Sequence, residues 1–94
     1  MFRHIVFFKV KQEEQHKIPE AVEKLRGLTV VPVVRNVEVG VDELKSGRSY
    51  DIALIVDTDS RADYDIYDQH ELHLPVRVFM RTIVESSVTV DFER

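Results

Sequence analysis

The sequence contains no cysteine. That excludes a disulfide framework and any thiolate metal site, and it fits a chain indifferent to redox or living in a reducing compartment. Basic residues are also in deficit: 13 lysines and arginines stand against 17 acids, a net charge of −4. Phosphate recognition demands a basic footprint, so nucleic acid is not an expected partner. No apolar run is long enough to span a bilayer. The amino-terminal run "MFRHIVFFKVK" lacks the small-residue cleavage site of a leader. It reads as a first strand, and the protein is expected in the cytoplasm with no membrane partner. No low-complexity segment or linker divides the 94 residues, so they are expected to form one domain, residues 1–94.

What is present is a clear alternation of periods. Phe2, His4, Val6, Phe8 and Val10 lie on one face of a strand, with Ile5 and Phe7 on the other, so both sides of that strand need cover. Ile18, Val22 and Leu25 then fall at helical spacing, with Ala21 and Leu28 beside them. Pro19 suits a first turn, which predicts a helix starting near Ile18. "RNVEVGV" and "YDIALIVD" alternate as strands, the second with Tyr50, Ile52, Leu54 and Val56 inward and Asp51 and Asp57 outward. Ser60 with Asp63 resembles a capping box ahead of a helix through Ala62, Ile66, Tyr67 and His70. Pro75 disfavours helix at Leu74 and predicts a bend there. A helix over "PVRVFMRTIVE" and a strand over "SVTVDFE" complete the chain. The acids between Asp57 and Glu71 read as a solvated helix face. The order is β-α-β-β-α-β, an α+β, ferredoxin-like arrangement with helices on one side of an antiparallel sheet. Ile5, Phe7, Ala53 and Ile55 remain on the other side. A two-fold homodimer through the sheet would cover them.

The chemistry concentrates in "YDQHELH", Tyr67 to His73. It nearly spells a zinc-protease motif, but the histidines are three apart instead of four, and no third ligand is evident beyond His4, His16 or an acid. A metal site is therefore not expected. Acid–base work suits the residues better. Histidine titrates near neutrality, and a tyrosine hydroxyl can hold a developing oxyanion. His4 reads either as a satisfied core histidine or as a pocket residue. Tyr67 reads either as an aromatic packing residue or as a hydrogen-bond donor to a ligand. His70 reads as a helix-end histidine favoured by the dipole. His73 is either a turn residue before Pro75 or a base turned into a cavity. His16 reads as solvated.

Together these residues resemble the stress-responsive dimeric α/β-barrel (Dabb) family. "HIVFFKVK" looks like that family's opening "HIVLFKFK", "VRNVEVG" like its second strand and "SYDIALIVD" like its third. "YDQHELH" matches its Y-x-x-H-P-x-H signature at Tyr67, His70 and His73, with Glu71 in the proline position. "VTVDFE" resembles its closing strand. The resemblance implies a ferredoxin-like protomer that dimerises into an α/β barrel. It also implies a small-molecule pocket that His4 lines; the apolar residues expected around it are Phe8, Leu54, Phe79 and Ile83, with His70 of the signature also expected in the lining. Some members resemble polyketide cyclases, in which the roles of acid–base pair would fall on Tyr67 and His73. Those cyclases carry a histidine where this chain has Ile52. Two readings follow. One is a stress-response barrel protein of unassigned role that binds a small apolar or aromatic metabolite. The other is an enzyme, needing no cofactor, that does histidine/tyrosine chemistry on a carbonyl or polyketide-like compound. A haem-degrading monooxygenase of similar fold is disfavoured by the lack of a basic patch for propionates.

Overall fold

The hydrophobic alternation of the first nine residues of structure produces a strand, and that strand organises everything else. In the computed structural model, which describes Met1–Arg94, β1 spans Phe2–Val10. A 3₁₀ segment, Gln12–Lys17, leads into α1, Ile18–Arg26, with Pro19 in its first turn as the sequence predicts. A second 3₁₀ turn, Gly27–Val30, precedes β2, Val34–Val41. β3 spans Ile52–Thr58, α2 Arg61–Gln69, α3 Leu74–Ile83 and β4 Val84–Glu93. The four strands lie in the order β2-β3-β1-β4, each neighbouring pair antiparallel. This is the ferredoxin-like arrangement expected from the order of elements.

The inner face is built by register. His4 faces Val56 of β3 and Asp91 of β4, while Val6 faces Leu54 and Thr89. Val6, Val10, Ile52, Leu54 and Val56 pack against Ala21, Leu25 and Leu28 from the α1 region and against Tyr67, Met80 and Ile83 from α2 and α3. Each valine, leucine, isoleucine or methionine among them, taken fully out of water, contributes roughly 1.5–3 kcal/mol before entropy is counted. The outer face carries the other half of each alternation. Phe7, Val88, Val90 and Phe92 are between 40% and 61% exposed there, beside the half-buried Ile5, Ala53 and Ile55.

Three local expectations are corrected. Leu74 is the first residue of α3, with Pro75 in the first turn, where its missing N–H would have had no helical partner anyway. The break lies four residues earlier, at His70, whose extended backbone (φ −69°, ψ 140°) ends α2. β3 begins at Ile52 instead of Tyr50. The Asp51 carboxylate there accepts bonds from the Val10 N–H and the Gln15 amide and fastens the strand start to β1. Asp57 points outward as expected but is not solvated: its side chain is 2% exposed. The Arg3 guanidinium donates two 2.8 Å bonds to it and the Asn36 amide a third. Those donors, Arg3 foremost, hold its carboxyl below the usual carboxylate range.

Candidate functional site

The joint between α2 and α3 faces the middle of β1, and a cavity of about 480 Å³ lies between them. Its walls are apolar: Val6, Phe8 and Leu54 from the sheet, Leu25 and Leu28 from the α1 side, Val76 and Met80 from α3. Arg81, Glu85, Ser86 and Ser87, all exposed, form the rim where α3 hands over to β4. Four rings run through the cavity wall in sequence. His4 lies 4.9 Å from Tyr64, Tyr64 5.9 Å from Tyr67, and Tyr67 stacks on His73 at 4.4 Å and 25° between planes.

Each element sets one of these groups. Ser60 caps α2 by accepting a bond from the Asp63 N–H. That fixes the helix so that Tyr64 and Tyr67, three apart, share its inward side. The turn after His70 brings His73 back against α2, where its Nδ1 lies 3.0 Å from the Asp68 carbonyl oxygen. A carbonyl can only accept, so Nδ1 carries the proton and Nε2 keeps the lone pair. Arg77 donates to the same carbonyl at 2.8 Å and to the Asp68 carboxylate, which pins the joint from the α3 side. Burial is the main cause lowering the His73 pKa, aided by the charge of Arg77, so at neutral pH the ring is a free base.

Tyr67 is only 1% exposed, yet its hydroxyl takes no partner within the chain. It is nonetheless not a sealed, unsatisfied atom. Its oxygen therefore keeps contact with the cavity. Burial pushes its pKa up, and that of Tyr64 up to about 12, so both remain protonated donors across the physiological range. His4 lies in the floor, 9% exposed, with Nδ1 bonded to the Asp91 carboxylate on β4.

Of the residues singled out from the sequence, His4, Phe8, Leu54, Tyr67 and His73 line this one cavity. His70 and Phe79 do not. His70 is the half-buried residue that ends α2, and its Nδ1 accepts a 3.0 Å bond from the Leu72 N–H, which ties the ring into the turn. Phe79 is turned away from Val76 and Met80 around α3, toward α1, where Lys24 Nζ lies 5.1 Å from its ring centroid. Ile83 is fully buried in the core beside the cavity. Tyr64, Asp68, Arg77 and Asp91 were missed. Tyr64 was findable from its i, i+3 relation to Tyr67. Asp91 becomes visible only once β4 is paired with β1. No three side chains among His, Asp and Glu converge as metal ligands would.

Solved structures resemble the chain along nearly its whole length. A dimeric ferredoxin-like protein of unknown function from Thermobifida fusca is 22% identical with a TM-score of 0.88, covering 99% of this chain and 90% of that one. A dimeric protein of unknown function from Bacteroides fragilis, also ferredoxin-like, is 27% identical with a TM-score of 0.86, covering 99% and 95%. A hydroxynitrile lyase from Passiflora edulis is 20% identical with a TM-score of 0.83, covering 97% and 90%. No curated protein matches by sequence. With its strand order, its Tyr67/His73 pair and a family match running from residue 2 to residue 94, the chain belongs to the stress responsive A/B barrel domain family.

Proposed function

We propose that this chain is a homodimeric protein whose cavity binds a small, largely apolar carbonyl compound, and that His73 and Tyr67 carry out proton transfer on it. The observation that carries the reading is an apolar cavity of about 480 Å³ in whose wall two stacked side chains each leave a polar atom free for a ligand. One is the lone pair at His73 Nε2. The other is the unpartnered Tyr67 hydroxyl. Cavities of this size, apolar with a few convergent polar groups, are the usual form of small-molecule sites.

The chemistry follows from those two groups. His73 Nε2 takes a proton from the carbon beside the carbonyl, the C–H bond breaks, and its electron pair moves onto the carbonyl oxygen. Tyr67, protonated, donates its O–H to that oxygen as charge develops. The apolar lining excludes water and strengthens both effects. The lowered pKa that burial gives His73 keeps the base neutral at pH 7 and into mildly acid solution. The step uses only side chains of the chain itself.

Self-association is supported by the exposed row Phe7, Val88, Val90 and Phe92 on the outer sheet face and by the dimeric descriptions of the relatives from T. fusca and B. fragilis. No helix is long and apolar enough to cross a membrane. The reading takes the protein as cytoplasmic.

The test uses β-tetralone, whose acidic α-hydrogens exchange with deuterium oxide at a rate followed by proton NMR. The wild-type chain accelerates the exchange. His73→Ala lowers that acceleration by about 10²-fold or more while the melting temperature stays within a few degrees. A His73→Ala variant that exchanges at the wild-type rate, or only melts earlier, sinks the reading.

A further inference from the structure

His4 is the second imidazole of the cavity, and its setting differs from that of His73. It stands near the start of β1, its ring 4.9 Å from Tyr64, on the sheet wall of the cavity. Its Nδ1 is bonded to Oδ1 of Asp91, directly across the β1–β4 register. An ionised carboxylate only accepts. Nδ1 therefore carries a proton whether the ring is neutral or cationic, and Nε2 is the position that takes up or gives away the second one. Core packing does not require this pair. The side chains flanking Asp91 on the inner face of β4, Thr89 and Glu93, are exposed, and Asp91 is itself 35% exposed with no other partner. A carboxylate at this one position, opposite the one histidine of β1, does what a third group does for any histidine base: it fixes tautomer and ring orientation.

We propose that Asp91 is a positioning residue that holds His4 as a second proton-transfer group, so that the cavity handles carbonyl compounds in which a hydrogen must move from one carbon to another. The inference rests on the acid–base reading of His73. The balance is simple. His73 Nε2 removes a proton from the carbon between a carbonyl and a C=C bond, and the electron pair delocalises onto the carbonyl oxygen, facing Tyr67. The His4 imidazolium, its charge facing Asp91, gives its Nε2 proton to the far carbon of the conjugated system. The double bond shifts, and no oxidant or reductant is consumed. His73 ends protonated and His4 neutral, and exchange with water resets both. A donor set apart from the base delivers the proton to the far carbon without waiting for the imidazole that took the first one to reach it, and the ring series His4–Tyr64–Tyr67–His73 sets the two imidazoles at its two ends.

Cyclohex-3-enone tests this, since its conversion to the conjugated cyclohex-2-enone removes a proton at one carbon and adds one two carbons away, with a change in ultraviolet absorbance. The wild-type chain is expected to catalyse the shift. Asp91→Asn lowers it by about tenfold or more, leaves β-tetralone exchange within twofold, and changes the His4 nitrogen shifts in long-range ¹⁵N–¹H NMR away from the Nδ1–H tautomer. Asp91→Glu, which keeps a carboxylate, restores part of the shift reaction and the tautomer. Three results overturn the proposal: a wild-type chain that exchanges β-tetralone but does not isomerise cyclohexenone, an Asp91→Asn variant that lowers both reactions equally or neither, and a His4 ring found in the Nε2–H tautomer. If the wild-type chain does not exchange β-tetralone either, the His73 reading fails first and the second-base role goes with it; the His4 tautomer then reports separately whether Asp91 positions the ring.

Discussion

Tyr67→Phe separates architecture from chemistry at a single atom. The ring of Tyr67 is core: it is 1% exposed and stacks on His73 at 4.4 Å. Phenylalanine keeps all of that area and the stack. The hydroxyl takes no hydrogen bond from or to the chain, and its oxygen keeps contact with the cavity. Removing it breaks nothing in the fold, so unfolding free energy should change by less than about 0.5 kcal/mol. For a domain of this size that is a melting shift below about 4 °C. The same atom is the donor assigned to the developing oxyanion. Loss of one such donor costs about 10²–10³ in rate, so β-tetralone exchange should fall by that factor while circular dichroism melts superimpose. A variant that loses several degrees of melting temperature but exchanges at the wild-type rate refutes the reasoning. It would make the hydroxyl structural, with an ordered partner the cavity supplies.

Other outcomes follow from charge and burial. The His73 pKa lies below the usual value of about 6.5, so exchange should stay flat from neutral pH to below 6.5 and fall only in more acid solution. Over that same interval the unfolded chain binds a proton at residue 73 that the folded chain refuses. Stability should therefore drop as pH falls from about 6.5 to the folded pKa, and His73→Gln should remove that slope in pH-dependent denaturant titrations. Val90→Asp sets a charge in the exposed apolar row of the outer face. Sedimentation at micromolar concentration should show the wild-type chain as a dimer and this variant as a monomer; a monomeric wild type ends the self-association reading. Asp57→Ala strips Arg3 and Asn36 of their shared acceptor and should cost on the order of 2 kcal/mol at pH 7. Because the Asp57 pKa is depressed, its contribution is present above the unfolded carboxyl pKa and lost as pH falls through the folded value. The variant should show a flatter acid limb.

The architecture was legible because its signals are local periods. The alternation in β1 and the 3.6-residue stripe of Ile18, Val22 and Leu25 each report one element without reference to another. Tyr67 and His73 were legible because their residue types and closeness in sequence suggest shared chemistry. Asp91 was not, since only the pairing of β4 against β1 sets it across from His4, eighty-seven residues away. Asp57 was misread for the same reason. Among the neighbouring acids it looks solvated, and only the Arg3↔Asp57 register reveals its partner. His70 was drawn toward the cavity by its membership in a three-residue pattern, whereas the backbone at the end of α2 turns its ring into a local bond with Leu72. Phe79 shares helix α3 with Val76 and Met80, but hydrophobicity alone does not say which flank of the stripe meets a void and which meets another helix.

Strand β4 alternates between two duties. Val90 and Phe92 point out of the sheet on one side, and Asp91 between them points in toward His4. It is also an edge strand, held by β1 alone, and a singly paired edge is the part of a sheet most free to fray. Where a second copy packs on Val90 and Phe92, it clamps the backbone on both sides of Asp91. Turnover per chain would then depend on protein concentration, rising gradually through the range around the dimerisation constant. Dilution would switch off the hydrogen-shift reaction before the simpler exchange at His73, whose anchors, Asp68 and Arg77, lie on the helices and not on this strand.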